Sequence, residues 1–293
     1  MVPVTSLISR KRCIAPIAMT LTILLSTPAM GERVISAGGG VTEIIYRLEQ
    51  SSSLVAVDST SMYPPEAEQL PDIGYMRRLG AEPILSMRPD HVVAVSDAGP
   101  PVTFRQLREA GVEVTRVPNE PTPAGVLTKV RAVARALDAE KQGQQVANRL
   151  ETGFTQLRER VEATDTRPDV LVLIAAGAGN MMAAGRDTGA EGILRLAGAN
   201  NAISAWSGYR PLSAEAVIEA APEWIVLTRR ALDSLGGRSG LREHAGLGET
   251  PAARNDHIIA MDGLLLLGFG PRTPAAASEL AERIHPEWMA SGD

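Results

Sequence analysis

Cysteine is almost absent from this sequence: Cys13 is the only one in 293 residues. It falls inside a leader-like stretch, so the chain beyond it has no disulfide, no thiolate metal site and no cysteine nucleophile. Histidine is scarce as well, with four scattered residues. Zinc and manganese sites are built from clustered imidazoles and carboxylates, so that scatter argues against a free-metal carrier. Aromatics make up 3% of the chain, with four tyrosines, three tryptophans and three phenylalanines. No Gly-X-Ser-X-Gly elbow, His-Glu-X-X-His helix, dinucleotide fingerprint or Gly-Lys-Ser/Thr phosphate loop is present. The hydrolase, metalloprotease and nucleotide-binding readings therefore have no motif behind them.

Long apolar runs are missing too. The run from Ile14 to Leu25 falls short of the roughly 20 residues a spanning helix needs. It follows the basic cluster Arg10-Lys11-Arg12 and precedes Ala29-Met30-Gly31. That order predicts a secretory signal peptide over residues 1–31 rather than a retained membrane anchor. The chain holds 29 Lys and Arg against 34 Asp and Glu, and removing the three basic residues of the leader leaves 26 against 34, a net charge of −8. Such a balance is not suited to nucleic acid or anionic lipid. Without disulfides, residues 32–293 must be held by their core, and they are numerous enough for one large or two medium domains.

What is present is an alternation of short apolar runs and amphipathic segments. Strands are predicted at Arg33–Ser36, Leu54–Val57, His91–Val95 and Val112–Val114, with helices over Val41–Leu48, Ala81–Ser86 and Phe104–Ala110. A second series follows, with strands at Val170–Ile174, Trp224–Leu227 and His257–Met261. Ala176–Asn180 reads as a turn, and helices cover Gly189–Ala197, Ser213–Ala220 and Thr273–Ile284. Between the two series, Val146, Leu150, Phe154, Leu157 and Val161 recur at spacings of four, four, three and four, one face of a long helix. The prediction is an α/β fold of two lobes, each with a mainly parallel sheet, joined by one bridging helix. Its bounds are 32–137 for the first lobe, 138–163 for the helix and 164–293 for the second lobe. A cleft between two lobes is a preferred ligand site.

The segment Pro71-Asp72-Ile73-Gly74-Tyr75-Met76-Arg77 puts a tyrosine after a glycine and two residues before an arginine. A tyrosine beside a fixed cation is suited to bind ferric iron as its phenolate, because the cation stabilises the negative charge. Further segments accompany it in order: Val34–Gly39, Val57–Ser61 with Tyr63-Pro64, Ala98–Pro101, Ala183–Thr188, Gly208–Ser213 and Gly268–Arg272. Taken together they resemble the periplasmic substrate-binding proteins of bacterial haem ABC importers, in the helix-bridged class (class III) that also carries siderophores and vitamin B12. The likeness runs over about residues 33–286.

The resemblance implies a periplasmic, non-catalytic and monomeric carrier. Its transported ligand would be haem, ferric protoporphyrin IX, captured between the lobes. Its partners would be an inner-membrane ABC permease with its ATPase and, indirectly, an outer-membrane haem receptor. Tyr75 would be the axial ligand and Arg77 its companion. Arg230, or Arg229 beside it, would supply the arginine of the second lobe. Tyr209 and Arg272 are further candidates to line the cleft, with Met181 and Met182 as apolar wall. Glu82 and Glu215, each opening a short helix in its own lobe, would dock on permease arginines. Carriage of a ferric siderophore or a corrinoid is the alternative within the class, and a secreted α/β enzyme the alternative outside it.

Overall fold

The computed structural model describes residue 1, residues 32–175 and residues 180–290. The predicted signal peptide and residues 176–179 of the predicted turn lie outside the described residues.

The first sheet contains β1 (Val34–Ala37), β2 (Leu54–Val57), β3 (His91–Val95) and β4 (Glu113–Val117), in the order β2-β1-β3-β4 and parallel throughout. Parallel strands require crossover connections, and here these include α1 (Gly39–Arg47), α2 (Ala81–Ser86) and α3 (Pro101–Glu109). Helix α3 starts three residues earlier than predicted, because Pro101 suits a first helical turn, where its missing N–H is not needed.

Helix α4 (Pro123–Ala136) is not among the predicted elements, although Thr122 caps it by accepting a bond from the Gly125 amide at 3.0 Å. Helix α5 (Glu140–Glu162) is the predicted long helix, and all five residues of its expected stripe are buried. Each such Leu or Phe stabilises the fold by about 1.5–3 kcal/mol. The two helices approach closely at Gly143, where an added Cβ would lie 2.3 Å from that of Ala134.

The second sheet contains β5 (Asp169–Ala175), β6 (Met181–Ala184), β7 (Asn200–Asn201), β8 (Tyr209–Pro211), β9 (Trp224–Thr228) and β10 (Ile258–Met261). Its order is β10-β9-β5-β6-β8, with β7 also paired to β5. The pairings of β5 with β9, β9 with β10 and β5 with β7 are parallel. Those of β5 with β6 and β6 with β8 are antiparallel, making this sheet mixed where two similar sheets were expected. The reason is chain length: the link between Ala175 and Met181 is far shorter than the dozen or so residues a parallel crossover needs. Helices α6 (Gly189–Leu196), α7 (Ala214–Ala220), α8 (Arg229–Ser234), α9 (Gly237–Glu243), α10 (Pro251–Arg254), α11 (Gly263–Leu267), α12 (Thr273–Ile284) and α13 (Glu287–Ala290) complete the lobe.

Side chains alternate across this sheet. Val170, Val172, Val226, Ile259 and Met261 belong to a core shared with the first sheet, α4, α5 and α12. Leu171, Leu173, Ile225, Leu227 and Ile258 belong to a second core on the opposite face. Among the described residues no helix is long and apolar enough to cross a membrane.

Candidate functional site

The loop carrying Tyr75 is fastened to the end of β2. The Val57 amide donates to the Pro71 carbonyl at 3.0 Å and the Ile73 amide to the Val57 carbonyl at 2.9 Å. The Ser59 amide donates to the Gly74 carbonyl at 3.1 Å. Asp72 Oδ1 accepts the Gly74 amide at 2.7 Å, closing a side-chain turn. Gly74 has φ +94, a conformation that disfavours any side chain, so the glycine of the Gly-Tyr-X-Arg segment has a backbone reason. Beyond it, Met76–Arg78 forms one 3-10 turn, closed by the Arg78 amide on the Tyr75 carbonyl at 2.7 Å. This turn is tied to the loop after β3, the Gly99 amide donating to the Met76 carbonyl at 2.9 Å.

Tyr75 is 40% exposed, unusually open for a large aromatic side chain. The Arg78 guanidinium lies 6.0 Å from its ring centroid. Arg77 Nη2 donates to Asp97 Oδ2 at 2.9 Å. Burial works to lower the Arg77 pKa, but the Asp97 hydrogen bond and the nearby Tyr75 and Tyr209 phenols raise it on balance. Tyr209, from β8 of the other sheet, is thus brought into the same group as Tyr75 and Arg77. Burial raises the Tyr209 pKa, with Tyr75 pushing the same way. Hydrogen bonding at Ala190 and Thr188 and the charge of Arg77 pull it back down.

The remaining predicted cations are placed differently. Arg229 and Arg230 open α8 after β9, where the Thr228 hydroxyl caps the helix on the Ala231 amide at 3.2 Å. Both are exposed, and among the described residues no side-chain hydrogen bond or ion pair of either is seen. Arg272 is engaged inside the protein: its Nε donates to Glu43 Oε2 at 3.0 Å, and its guanidinium stacks 3.6 Å from the Tyr63 ring centroid. Glu82 and Glu215 are exposed in the first turns of α2 and α7. Met181 is buried in the second core, whereas Met182 stays partly exposed. Tyr46 packs against the shared core.

Several residues around the site carried no motif. Asp97 binds Arg77 with one oxygen and accepts Asn119 Nδ2 with the other at 2.7 Å. Arg116 donates to the Ser96 carbonyl and, at 2.9 Å, to the Ala98 carbonyl, gripping the Asp97 loop from both sides. Lys129 is wholly buried and donates to Asn119 Oδ1 at 2.5 Å and to the Phe269 carbonyl at 3.0 Å. A signal for Lys129 exists: it stands on the apolar stripe of α4 with Val126, Val130 and Val133.

The glycine run at 38–40 has a structural use. The Gly38 amide donates to buried Asp58 at 2.7 Å, and a Cβ on Gly39 would lie 2.3 Å from the Thr60 carbonyl oxygen. At the start of β3, His91 gathers Glu32 and Glu113. Glu32 lies 3.2 Å from Nδ1, while Glu113 lies 3.9 Å from Nε2, which Thr115 also bonds. The two acids thus face different ring nitrogens, and the cluster reads as a charged cap on the sheet.

Residues 34–264 match the Periplasmic binding protein family. The fold is similar to that of the periplasmic heme-binding protein RhuT from Roseiflexus sp. RS-1, in its apo form. The TM-score is 0.84 and identity 39%, over 87% of this chain and 98% of that one. The periplasmic heme-binding protein BhuT, in complex with two hemes, gives 0.81 and 36%, over 86% and 97%. By sequence, an uncharacterized ABC transporter substrate-binding lipoprotein, YvrC, of Bacillus subtilis is 25% identical over 87% of this chain and 81% of its own. The vitamin B12-binding protein of Vibrio parahaemolyticus is 25% identical over 86% and 89%. The chain therefore belongs to the periplasmic binding protein family, whose members bind substrates for ABC transporters and are not enzymes.

Proposed function

We propose that this protein captures ferric haem between its lobes and delivers it to an inner-membrane ABC permease. The observation that carries this reading is the grouping of exposed Tyr75 with Arg77 and, from the other sheet, Tyr209. A free phenol has a pKa of about 10 and keeps its proton at neutral pH. Ferric iron displaces that proton, and a guanidinium alongside stabilises the phenolate left behind. Tyrosinate is an established haem ligand. The two heme-binding proteins of similar fold and 36–39% identity support the same cargo.

The other residues take roles that suit their surroundings. Arg230 or Arg229, exposed at the start of α8, meets a propionate, because a guanidinium binds carboxylates through a two-pronged fork. Tyr209 lines the cleft from the second lobe. Arg272, already engaged by Glu43 and Tyr63, braces the site from behind rather than touching cargo. Glu82 and Glu215 dock on the permease, one from each lobe, and Glu82 borders an open hollow shared with Gly80, Pro83, Leu85 and Gln106. The carrier is exported through its leader and works as a monomer in the periplasm, downstream of an outer-membrane haem receptor.

A second reading, carriage of a corrinoid, is favoured by the relative named as a vitamin B12-binding protein. Parallel calorimetric titrations with ferric haem and with cyanocobalamin separate the two. The proposal expects heat of binding and saturation with haem alone; saturation with cyanocobalamin alone overturns it.

A further inference from the structure

A continuous line of hydrogen bonds leaves the proposed haem grip and ends in the second lobe. Arg77 Nη2 donates to Asp97 Oδ2 at 2.9 Å. Asn119 Nδ2 donates to Asp97 Oδ1 at 2.7 Å. Lys129 Nζ donates to Asn119 Oδ1 at 2.5 Å, to the Phe269 carbonyl at 3.0 Å and to the Gly268 carbonyl at 3.4 Å. Charge alternates along the line, with Asp97 between the guanidinium and the lysine-bound amide. The Asp97 loop itself is pinned by Arg116 on the carbonyls of Ser96 and Ala98.

The far end of the line is also constrained. Phe269 holds a left-handed backbone with φ +46. Its ring lies against the start of α6, where a Cβ on Gly192 would come within 2.9 Å of it. The same turn neighbours Tyr209, whose pKa Ala190 and Thr188 lower and which in turn raises that of Arg77.

We propose that Asp97, Asn119 and Lys129 are positioning residues, which aim Arg77 at the Tyr75 phenolate and tie that aim to the Gly268–Phe269 carbonyls of the second lobe. The proposal rests on the haem reading above. A lysine stem that merely filled the seam between lobes would need no amide and carboxylate between it and Arg77. A change in lobe contact at Phe269 passes through Lys129 and Asn119 to the group that stabilises the ligand.

Asn119→Ala is the decisive variant. It keeps every charge and the Lys129–Phe269 bond, and it removes the amide that accepts from Lys129 and donates to Asp97. Two readouts apply. In the ligand-free protein, the Arg77 guanidinium 15N signal, assigned by its loss in Arg77→Ala, shifts or broadens in Asn119→Ala. In the haem complex, the Soret band of Asn119→Ala moves in the direction seen for Arg77→Ala, and haem leaves roughly five- to tenfold faster, the loss of about one ordinary hydrogen bond. Asp97→Asn shows the same changes more strongly. If Asn119→Ala keeps the wild-type 15N signal and spectrum while Arg77→Ala changes the spectrum, the proposal is overturned. If wild-type protein leaves the free-haem spectrum unchanged, the haem reading fails, and the ligand-free 15N signal alone decides the relay.

Discussion

Arg272 Nε lies 3.0 Å from Glu43 Oε2, and this ion pair joins the residue before α12 to α1. The Glu43 side chain is 3% exposed, and burial raises its carboxyl pKa against the opposing pull of Arg272 and Arg47. Glu43 Oε1 and Arg272 Nη2 are buried without a partner among the described residues. Breaking one half of such a pair strands the other in a dry site. Arg272→Ala is therefore expected to lower unfolding stability by about 3–5 kcal/mol. Replacing both partners with apolar residues of similar volume, as in Glu43→Leu with Arg272→Met, loses much less. Urea unfolding of the single and double variants measures this, and equal losses would contradict it.

Lys129 supplies the pH dependence. Burial lowers its amine from 10.5 to about 8, against the raising pull of Asp97 and Glu43. The unfolded chain keeps its proton up to the higher value. Between about pH 8 and 10.5 the unfolded state therefore binds more protons, and the Lys129 contribution to stability rises with pH. Below about pH 8 the cost of holding the charged amine is fully present. Between about pH 7 and pH 10, wild type should gain about 2 kcal/mol relative to Lys129→Met. A stability difference that stays level over that range rules this out.

Gly74 offers a test of the loop without touching its chemistry. At φ +94 with no atom within 4 Å of a built Cβ, Gly74→Ala meets backbone strain and no clash. Gly111, after α3, has φ +87 and the same open surroundings. Both substitutions should lower stability by about 1–3 kcal/mol. Only Gly74→Ala should speed haem release, because only Gly74 sets the direction of Tyr75. Similar release rates for both variants would show that the loop does not govern the grip.

Much of the fold was legible because short apolar runs and one long periodic stripe are strong local signals. Strand β2, helix α2, strand β3 and helix α12 coincide with their predicted bounds. Helix α4 escaped because its apolar face is interrupted by Lys129, a residue whose burial depends on carbonyls 140 positions away. The antiparallel β6 and β8 were hidden because strand direction is set by link length and sheet order, not by composition. Tyr75 and Arg77 stood out through one compact segment. Asp97 and Asn119 did not, since an acid and an amide in loops are ordinary until tertiary structure puts them on Arg77. Arg272 was legible as a special residue, but its tie to Glu43 depends on a contact 229 positions apart.

The glutamates proposed to dock on the permease call for a cellular measurement. Glu82 and Glu215 are exposed and lie in different lobes. Glu82→Lys with Glu215→Lys should abolish transporter-dependent haem uptake in cells while the purified variant binds haem as tightly as wild type. Normal uptake by the double variant would remove these residues from the docking surface.

The central claim is that Tyr75 binds ferric haem as a phenolate. Purified protein lacking residues 1–31 is titrated with ferric haem and its visible spectrum recorded beside those of Tyr75→Ala and Tyr209→Phe. The account predicts a shifted Soret band with a high-spin charge-transfer feature in wild type and Tyr209→Phe, and its loss in Tyr75→Ala. An unchanged free-haem spectrum in wild type, or an intact complex spectrum in Tyr75→Ala, would contradict it.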